Sequence, residues 1–321
     1  MNRYDYTYGV AYIRAIENRL LTSQDFEALI ACSEPQDALR ILNDKYSSDV
    51  LKPENFEELL SSEMEKAWDE VRYASPKGAP LDFLLYGNDF HNFKVAVKGV
   101  KTGIKDYDKY VVSPATIEFT HILRAVEKAD FSLLPKMLEN TARHSYDILL
   151  RTDDSQLFDT IVDKASMDYM YKAALDTKSD FLKGYVRLIN TYKDIKIAVR
   201  CAVTSKNADF LNMALSDNSS ISRSNIIEAA LSGIDALKEF LTDAGYAEAV
   251  NALDNSMQAF EKYSDDAVSD YLKKASGISF GVEPLVAYIN RKQTEIRNVR
   301  IIMSAKLNGF DDDVIRSRMR S

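Results

Sequence analysis

A pattern of seven residues occurs three times in this chain of 321 residues, as NFKVAVK at 92–98, DIKIAVR at 194–200 and NVRIIMS at 298–304. The second copy starts 102 positions after the first, and the third starts 104 positions after the second. This period far exceeds the roughly 20 to 50 residues of stacked solenoid repeats. The repeated unit is therefore the size of a whole domain.

The apolar positions of the three copies coincide when the copies are aligned. They recur at i, i+3 and i+7, which is the spacing of the buried face of an amphipathic helix. The equivalent apolar residues are Phe90, Tyr192 and Ile296; Phe93, Ile195 and Val299; and Val97, Val199 and Met303. One such stripe is typical of any buried helix, but three equivalent stripes predict three related helices with these side chains in the core.

A short hydrogen-bonding side chain also recurs, as Asn92, Asp194 and Asn298. Asn and Asp are poor residues for the middle of a helix because their side chains compete for backbone hydrogen bonds. Their matched placement predicts a fixed partner on a neighbouring element and makes Asn92 a candidate for an interhelical hydrogen bond. The alternative is that each side chain simply faces solvent.

Helices are predicted throughout the chain. Only 11 glycines and 7 prolines interrupt it, long segments contain neither, and 46% of the residues are hydrophobic, which favours an all-α fold. A single long helix is expected over 247–275. With the repeat, the pattern predicts three similar helical-bundle domains, 1–112, 113–213 and 214–321. Three like units that meet head to tail can close into a ring about a pseudo-threefold axis, with a central cavity.

The charge and the cysteines exclude several classes of protein. A net charge of −8 gives no electrostatic footprint for nucleic acid, so no nucleic-acid partner is predicted. The C-terminal part differs from the rest, with eight Lys or Arg against four acids from Arg291 onward. The two cysteines, Cys32 and Cys201, form no metal-like pattern. Since no apolar run is long enough to span a bilayer, a cytoplasmic protein with no direct membrane span is expected.

No motif for catalysis or for a cofactor is present. The chain lacks a phosphate-binding GxxxxGK[ST] loop and a GxSxG nucleophile turn. The three histidines, His91, His121 and His144, follow no metal-binding spacing. Asp311 to Asp313 are explained as acids at the start of the last helix. No catalytic residue, no cofactor and no metal site is therefore predicted.

Three segments carry a resemblance to a known family. FGVEPLVAYINRKQTEIRNVRIIMSAKLNGF at 280–310, with DDDVIRSRM after it, resembles the C-terminal signature of the C subunit of prokaryotic A/V-type ATPases, a relative of the d subunit of eukaryotic V-type ATPases. YIRAIENRLL at 12–21 is similar to the family's opening helix, and YKDIKIAVRCAVTSK at 192–206 is similar to its middle element. The resemblance covers essentially the whole chain.

The resemblance implies a rotor component: a three-part helical funnel on the membrane rotor ring that takes the end of the central shaft into its cavity, as a peripheral part of a membrane-bound complex for proton or sodium ion transport. Central-shaft and rotor-ring subunits are then the expected partners, and the chain itself is not an enzyme. The basic residues hypothesised to contact them are Lys94, Lys98, Lys196, Arg200, Arg297 and Arg300. Ser304 stands where the other copies have Lys98 and Arg200, so a threefold basic lining would be incomplete.

Three other interpretations remain open from the sequence. The six basic side chains could instead lie on the solvated outer faces of helices. The chain could be a general cytosolic helical adaptor unrelated to a rotary ATPase, which would not copurify with shaft and ring proteins. An enzyme with an unfamiliar site would show a deep pocket with converging ionisable groups, where a socket would show a wide axial opening.

Overall fold

The computed structural model describes the backbone of residues 3–321 and the side chains of residues 5–321. It is all-α, as predicted, and none of the described residues forms a β-strand. The α-helices are α1 (Thr7–Ile16), α2 (Ser23–Ala31), α3 (Pro35–Tyr46), α4 (Phe56–Ala74), α5 (Tyr86–Thr102), α6 (Phe119–Glu127), α7 (Lys136–Thr152), α8 (Ser155–Asp176), α9 (Asp180–Val203), α10 (Ala208–Ala214), α11 (Arg223–Leu231), α12 (Ile234–Leu241), α13 (Ala247–Asn255), α14 (Met257–Lys273), α15 (Glu283–Leu307) and α16 (Asp312–Arg318).

Short 3-10 turns flank several of these helices, and one π-helical turn, Thr242–Tyr246, joins α12 to α13. The 3-10 turns are Arg3–Tyr6, Glu17–Arg19, Pro53–Asn55, Asp82–Leu85, Phe131–Leu133 and Lys274–Gly277. Within residues 3–321, none of the helices combines the length and the apolar character that crossing a membrane requires.

Several helices start at a recognisable sequence signal. Thr22 caps α2 by accepting a hydrogen bond from the Asp25 amide, and Asp25 in turn accepts one from the Thr22 amide, which forms a capping box. Pro35 is the first residue of α3, where its missing N–H costs nothing. The prediction of a single long helix over 247–275 is wrong, because two helices, α13 and α14, occupy this stretch. The chain breaks at Ser256, whose side chain caps α14 by accepting from the Ala259 amide.

The chain divides into two compact units. Unit 1 is discontinuous and comprises Met1–Ala79 and Ala252–Ser321, whereas unit 2 is the continuous stretch Pro80–Asn251. We call the helices that carry the three copies of the repeat the marker helices: α5 carries the first copy, α9 the second and α15 the third. The first two belong to unit 2, and α15 belongs to unit 1. The division into three domains predicted from the repeat stays a prediction.

Each unit has its own apolar core around these marker helices. In unit 1, Val299 and Met303 of α15 pack with residues of α2, α3 and α4 such as Leu39 and Leu60. In unit 2, Phe93 and Val97 of α5 pack with α6, α7 and α8, and the rings of Phe93 and Phe158 lie 5.8 Å apart. All nine apolar residues predicted from the alignment of the copies are buried, which confirms the stripe.

Candidate partner-binding site

Two of the three equivalent polar residues hold the main chain of a following segment in the same way. Asn92 accepts a hydrogen bond from the Val112 amide and donates one to the Val112 carbonyl, both at 2.9 Å. Asn298 accepts from the Arg320 amide at 2.8 Å and donates to the Arg320 carbonyl at 3.0 Å. An Asn side chain donates and accepts at once, so it satisfies both polar groups of one residue. Both side chains are buried, and each fixes its segment to a marker helix.

The third member of the set, Asp194, also binds downstream main chain. Its Oδ1 accepts from the Ser216 amide at 3.0 Å. The partners follow their anchors by 20, 22 and 22 residues, and all three lie outside helices. The predicted fixed partner is therefore confirmed. The prediction that Asn92 forms an interhelical hydrogen bond is wrong, because Val112, its partner, lies outside a helix. The physical reason is that main-chain groups inside a helix are already paired with one another, whereas those of a non-helical segment need other partners.

A second anchor lies three residues before the first one in two of the copies. Asp89 accepts from the amides of Thr116 and Ile117 at 2.8 and 3.0 Å, and Thr191 accepts from the Ser220 amide at 2.8 Å. Burial raises the pKa of the Asp89 carboxyl, although these hydrogen bonds oppose the shift. Two adjacent anchors hold the segments 111–117 and 215–222 more rigidly than one would.

Lys94 and Lys98 form part of a ladder of ion pairs between α5 and α8. Lys94 Nζ lies 2.5 Å from Asp163 Oδ1, and Lys98 Nζ lies 2.6 Å from Asp159 Oδ2. Lys101 adds a third pair, at 2.5 Å, with Asp153, which lies just before the start of α8. Residue numbers rise along α5 as they fall along α8, so the two helices are antiparallel. Both predicted partner-binding lysines are thus already paired within unit 2.

Arg297 and Arg300 of α15 are paired in the same manner within unit 1. Arg297 Nη1 lies 2.5 Å from Asp265 Oδ2 on α14. Arg300 binds Glu57 of α4 through two parallel hydrogen bonds, from Nε at 2.7 Å and from Nη2 at 2.8 Å. Such bidentate geometry is the strongest form of an exposed pair. Arg300 thereby repeats, on α15, the link that Lys94 makes from α5 to a neighbouring helix.

Lys196 and Arg200 share a face of α9, one turn apart. Lys196 is half-buried, whereas Arg200 is exposed. Within the described part of the chain, the Arg200 guanidinium has no ion-pair partner. The six predicted basic residues therefore lie in pairs on three marker helices, and Arg200 is the member whose charge is most available.

A groove of about 550 Å³ runs beside Lys94 and Lys98 in unit 2. It lies between α5 and the segment that follows it, where Tyr107 packs onto the bare backbone of Gly99 so closely that a Cβ there would lie 2.1 Å from the ring. Two of the side chains that line it, Ile104 and Tyr110, are apolar or aromatic and exposed. Two of the predicted contact lysines thus border an apolar surface.

A buried cluster of charges in unit 1 escaped sequence reasoning. Lys292 Nζ lies 2.9 Å from Glu63 Oε2 and 2.7 Å from Glu295 Oε1, and it sits 4.5 Å from the centre of the Tyr46 ring. Glu295 also accepts from the Tyr46 hydroxyl at 2.9 Å and from the Leu21 amide at 2.6 Å. Desolvation, with the charge of Glu295, raises the pKa of Tyr46. The cluster joins α15 to α3, to α4 and to Leu21 in the segment before α2.

The local signal of this cluster is weak: Lys292 and Glu295 lie three positions apart on the helix that carries the third copy of the repeat. Lys292 is one of the eight basic residues from Arg291 onward, and nothing in its local sequence distinguishes it from the other seven. Its acceptor Glu63 lies 229 positions earlier in the chain. Local spacing carries no information on a partner at that separation.

A second cleft, of about 580 Å³, lies in unit 1 between α2, α14, α15 and the residues after α16. Its lining carries five basic side chains and two acidic ones, so part of the basic excess noted at the C-terminal end converges there. The basic residues are Lys262, Lys273, Arg291, Arg316 and Arg320. Most are paired with acids, as Arg320 is with Asp265 at 3.0 Å and Arg316 with Glu27 at 3.1 Å.

The histidines and the acids can also be compared with the arrangement that a metal site needs. His91 contacts the Tyr110 carbonyl through Nε2 at 2.9 Å. In the portion of the chain covered by the structure, no group of three or more His, Cys, Asp or Glu side chains is placed to hold a metal ion. Asp312 and Asp313 lie in the first turn of α16, where their negative charges interact favourably with the positive end of the helix dipole.

These features define an all-α protein built on a repeated helix, with charged side chains that join neighbouring helices. The sequence profile of the family described as "ATP synthase (C/AC39) subunit" matches residues 10–318. The chain belongs to this family.

Named relatives support the assignment along the full length of the chain. The C subunit of the V-type sodium ATPase of Enterococcus hirae is 22% identical over 96% of each chain. The C subunit of the A-type ATP synthase of Methanococcoides burtonii is 22% identical, over 98% of this chain and 94% of the relative. The C subunit of the A-type ATP synthase of Pyrococcus furiosus is 26% identical, over 93% of this chain and 85% of the relative.

Proposed function

We propose that this chain is a rotor component of a V-type or A-type ATPase, a non-catalytic socket that couples the central shaft to the membrane rotor ring during proton or sodium ion transport. The family match over residues 10–318 carries the proposal. The names of the relatives, C subunits of a sodium ATPase and of ATP synthases, supply the kind of complex. In this role the chain is cytoplasmic and peripheral to the membrane.

The threefold character of the socket is part of the proposal. It is supported by the equivalent anchors Asn92, Asp194 and Asn298, which hold three segments at similar distances along the chain. Because the anchors and their neighbours join 111–117 and 215–222 to the helices before them, they favour domain boundaries a few residues later than 112 and 213. Close packing of such bundles gives the stiffness that transmission of torque requires.

The six basic residues are the proposed contacts with shaft or ring subunits. Four of them form exposed or partly exposed ion pairs within the chain, such as Lys98 with Asp159. An exposed pair contributes only about 0 to 1 kcal/mol, so an acidic group of a partner can replace the internal one at little cost. Arg200 needs no such exchange.

Copurification tests the assignment to the complex. The full chain, carrying an affinity tag, is expressed in the native host, and the associated proteins are identified after mild detergent extraction. We expect the shaft subunits and the rotor ring to copurify with it. If soluble proteins copurify without ring or shaft, the chain is a helical adaptor and the proposal is wrong.

Charge reversal tests the contact residues. Arg200→Glu should weaken binding to the shaft or ring by at least tenfold. It breaks no ion pair among the described residues, and its cost to stability should stay near the roughly 0.3 to 1 kcal/mol of an unfavourable charge in the last turn of α9. Lys98→Glu should weaken binding too, but it also breaks the pair with Asp159. The swap Lys98→Glu with Asp159→Lys restores the internal pair, so recovery of binding in the swap would assign Lys98 a structural role. Unchanged affinity and unchanged coupled turnover in Arg200→Glu, and likewise after charge reversal of Lys196 and Arg300, would refute these contacts.

A further inference from the structure

The stretch that follows the marker helix is helical in two of the three copies. In the second copy it forms α10, which packs against α9, and in the third it forms α16, which packs against α15. At the offsets of 102 and 104 positions between the copies, both of these helices correspond to residues 106–112 of the first copy. Residues 106–112 form no helix. The first copy therefore lacks the short helix that the other two pack beside their marker helix.

The start of this stretch explains part of the difference. The Asn207 side chain caps α10 by accepting from the Phe210 amide at 2.9 Å, and Asp311 is the N-cap residue of α16. The equivalent residue in the first copy is Lys105. A lysine side chain has no acceptor, so it cannot cap a helix.

The middle of the stretch explains the rest. Leu211 of α10 and Ile315 of α16 are fully buried and anchor their helices in the core. Their equivalent in the first copy is Lys109, whose side chain is 75% exposed. A lysine is almost never fully buried without a partner charge, so 106–112 has no apolar anchor of this kind.

The groove of about 550 Å³ lies along the part of α5 that precedes this stretch. Its lining on α5 runs from His91 to Thr102, which is about 16 Å of helix at 1.5 Å per residue. The opposite wall is formed by residues of 104–110, and the contact of the Tyr110 carbonyl with His91 Nε2 at 2.9 Å holds it in place. The groove is therefore preformed, and it has the length of about three helical turns.

The lining of the groove is basic, although the chain as a whole carries a net charge of −8. Lys94, Lys98 and Lys109 line it, and none of the described residues that line it is Asp or Glu. The side chains of Lys98 and Lys109 are 47% and 75% exposed, and each pairs with an acid that is itself partly exposed or exposed. Because such pairs contribute little, a carboxylate of a partner can replace the internal acid.

We propose that this groove binds an amphipathic helix of a partner protein, with carboxylates against Lys98 and Lys109 and apolar side chains against Ile104 and Tyr110. A helix is the occupant because the other two copies pack a helix of their own against the equivalent marker helix, and its acidic character follows from the charge of the lining. The inference deepens the proposed function and rests on it for the source of the helix, a shaft or ring subunit.

Two synthetic peptides test the groove. Each has about 15 residues, enough to form a helix, and carries leucines along one face. The other face carries glutamates in the first peptide and lysines in the second. The fluorescence anisotropy of labelled peptides, titrated with the full chain, gives the affinities. The glutamate peptide should bind at least tenfold more tightly, and equal affinity of the two peptides would overturn the proposal.

Substitutions at one exposed residue of the wall separate charge from apolar contact. Ile104→Asp should weaken binding of the glutamate peptide at least tenfold, whereas Ile104→Lys should weaken it much less. Leu133→Asp, at another exposed apolar residue of unit 2, is the control and should leave binding unchanged. Circular dichroism confirms that each variant is folded. Equal losses in Ile104→Asp and Ile104→Lys, or in Ile104→Asp and Leu133→Asp, would refute an acidic helix in this groove.

Photocross-linking identifies the source of the helix. With p-benzoylphenylalanine in place of Tyr110, irradiation of the copurified complex should join residue 110 to a helical segment with an acidic face in a shaft or ring subunit. A cross-link to a basic segment or to a second copy of this chain, or no cross-link in a complex that contains shaft and ring, would overturn the proposal. If the chain binds the glutamate peptide but copurifies without shaft and ring, the rotor role is wrong and the groove stands. If it copurifies with both but does not bind the peptide, the groove is wrong and the rotor role stands.

Discussion

Asn298, in the middle of α15, holds the main chain of Arg320 by both of its polar groups, donating to the carbonyl at 3.0 Å and accepting from the amide at 2.8 Å. Asn298→Ala would leave two main-chain groups of Arg320 without these partners. Since each hydrogen bond that is lost contributes about 0.5 to 1.5 kcal/mol, we expect the free energy of unfolding of unit 1 to fall by about 2 kcal/mol. Urea unfolding followed by the fluorescence of Trp68, the one tryptophan and a buried residue of unit 1, measures this.

The matched control is Asn308→Ala, after the end of the same helix. Asn308 is exposed and its side chain donates to the Ser304 carbonyl, four residues earlier. We expect its effect to stay within about 0.5 kcal/mol, as for most surface substitutions. Equal losses in the two variants would contradict a special role for Asn298.

The buried charge of Lys292 should be far more costly to remove than an exposed one. Lys292→Met leaves Glu63 and Glu295 buried without their cation, and breaking such a buried pair destabilises by about 3 to 5 kcal/mol. Arg300→Met, on the same helix, breaks the exposed pair with Glu57 and should cost about 1 kcal/mol or less. Urea unfolding of the two variants side by side gives the comparison, and a larger loss for Arg300→Met would show that the cluster contributes little.

Gly9 is expected to be intolerant of any side chain. A Cβ at this position would lie 2.3 Å from the Ala74 carbonyl oxygen, so Gly9→Ala must push α1 away from the end of α4. Overpacking of this kind costs about 1 to 3 kcal/mol. Thermal unfolding followed by far-ultraviolet circular dichroism should show a lower midpoint for the variant.

Gly87 provides the opposite case. It also lies in a helix, but nothing is within 4 Å of the Cβ that Gly87→Ala would add. Alanine is favoured over glycine inside a helix by about 0.5 to 1 kcal/mol, so this variant should be more stable than the unaltered chain. A loss of stability in both variants would mean that close approach at Gly9 does not explain its behaviour.

The stability of unit 2 should depend on pH through Asp194. The pKa of its carboxyl rises from an ordinary value of 3.8 to about 7 in the folded chain, chiefly because burial removes the carboxyl from water. The folded chain therefore binds more protons than the unfolded chain between these values, and stability is highest near pH 4 and falls as pH rises through about 7. The fall can reach about 4 kcal/mol, at about 1.4 kcal/mol for each unit of pKa.

Urea unfolding by circular dichroism at several pH values measures this dependence. Asp194→Asn should reduce the slope between pH 4 and pH 7 and raise the stability at pH 8. Asp180→Asn, at an aspartate on the same helix whose side chain is 96% exposed, is the control and should keep the slope. A slope that is the same in all three proteins would assign the pH dependence to other groups.

The repeat predicted the apolar framework well because that framework depends on local spacing. The stripes through Phe93, Ile195 and Val299 follow the helical period, and burial of those side chains needs no knowledge of which helix covers them. The break at Ser256 was missed because the apolar period continues across it, although Ser256 with its hydrogen bond from Ala259 is an ordinary N-cap.

Pairings between distant residues could not be predicted. That Asn92 binds Val112, or that Lys94 pairs with Asp163, depends on the path of the chain between them. The same holds more strongly for Lys292 and Glu63. The sequence pattern around a charged helical residue is the same whether the side chain forms an ion pair within the chain, faces solvent or binds another protein. The pattern therefore could not show that Lys98 pairs with Asp159 while Arg200 has no ion-pair partner in the described part of the chain.

The discontinuity of unit 1 dictates an order of events at the ribosome. Unit 2 is one continuous stretch, so its core can form once residue 251 has emerged from the ribosome. In unit 1, by contrast, the ion pair of Glu63 can form only after Lys292 has been synthesised. Domains fold as units during synthesis, and contacts between distant residues form last. The N-terminal part of unit 1 therefore leaves part of its apolar surface exposed to solvent during most of the chain's synthesis. That surface is covered only when the C-terminal part of unit 1, including α15, has been made.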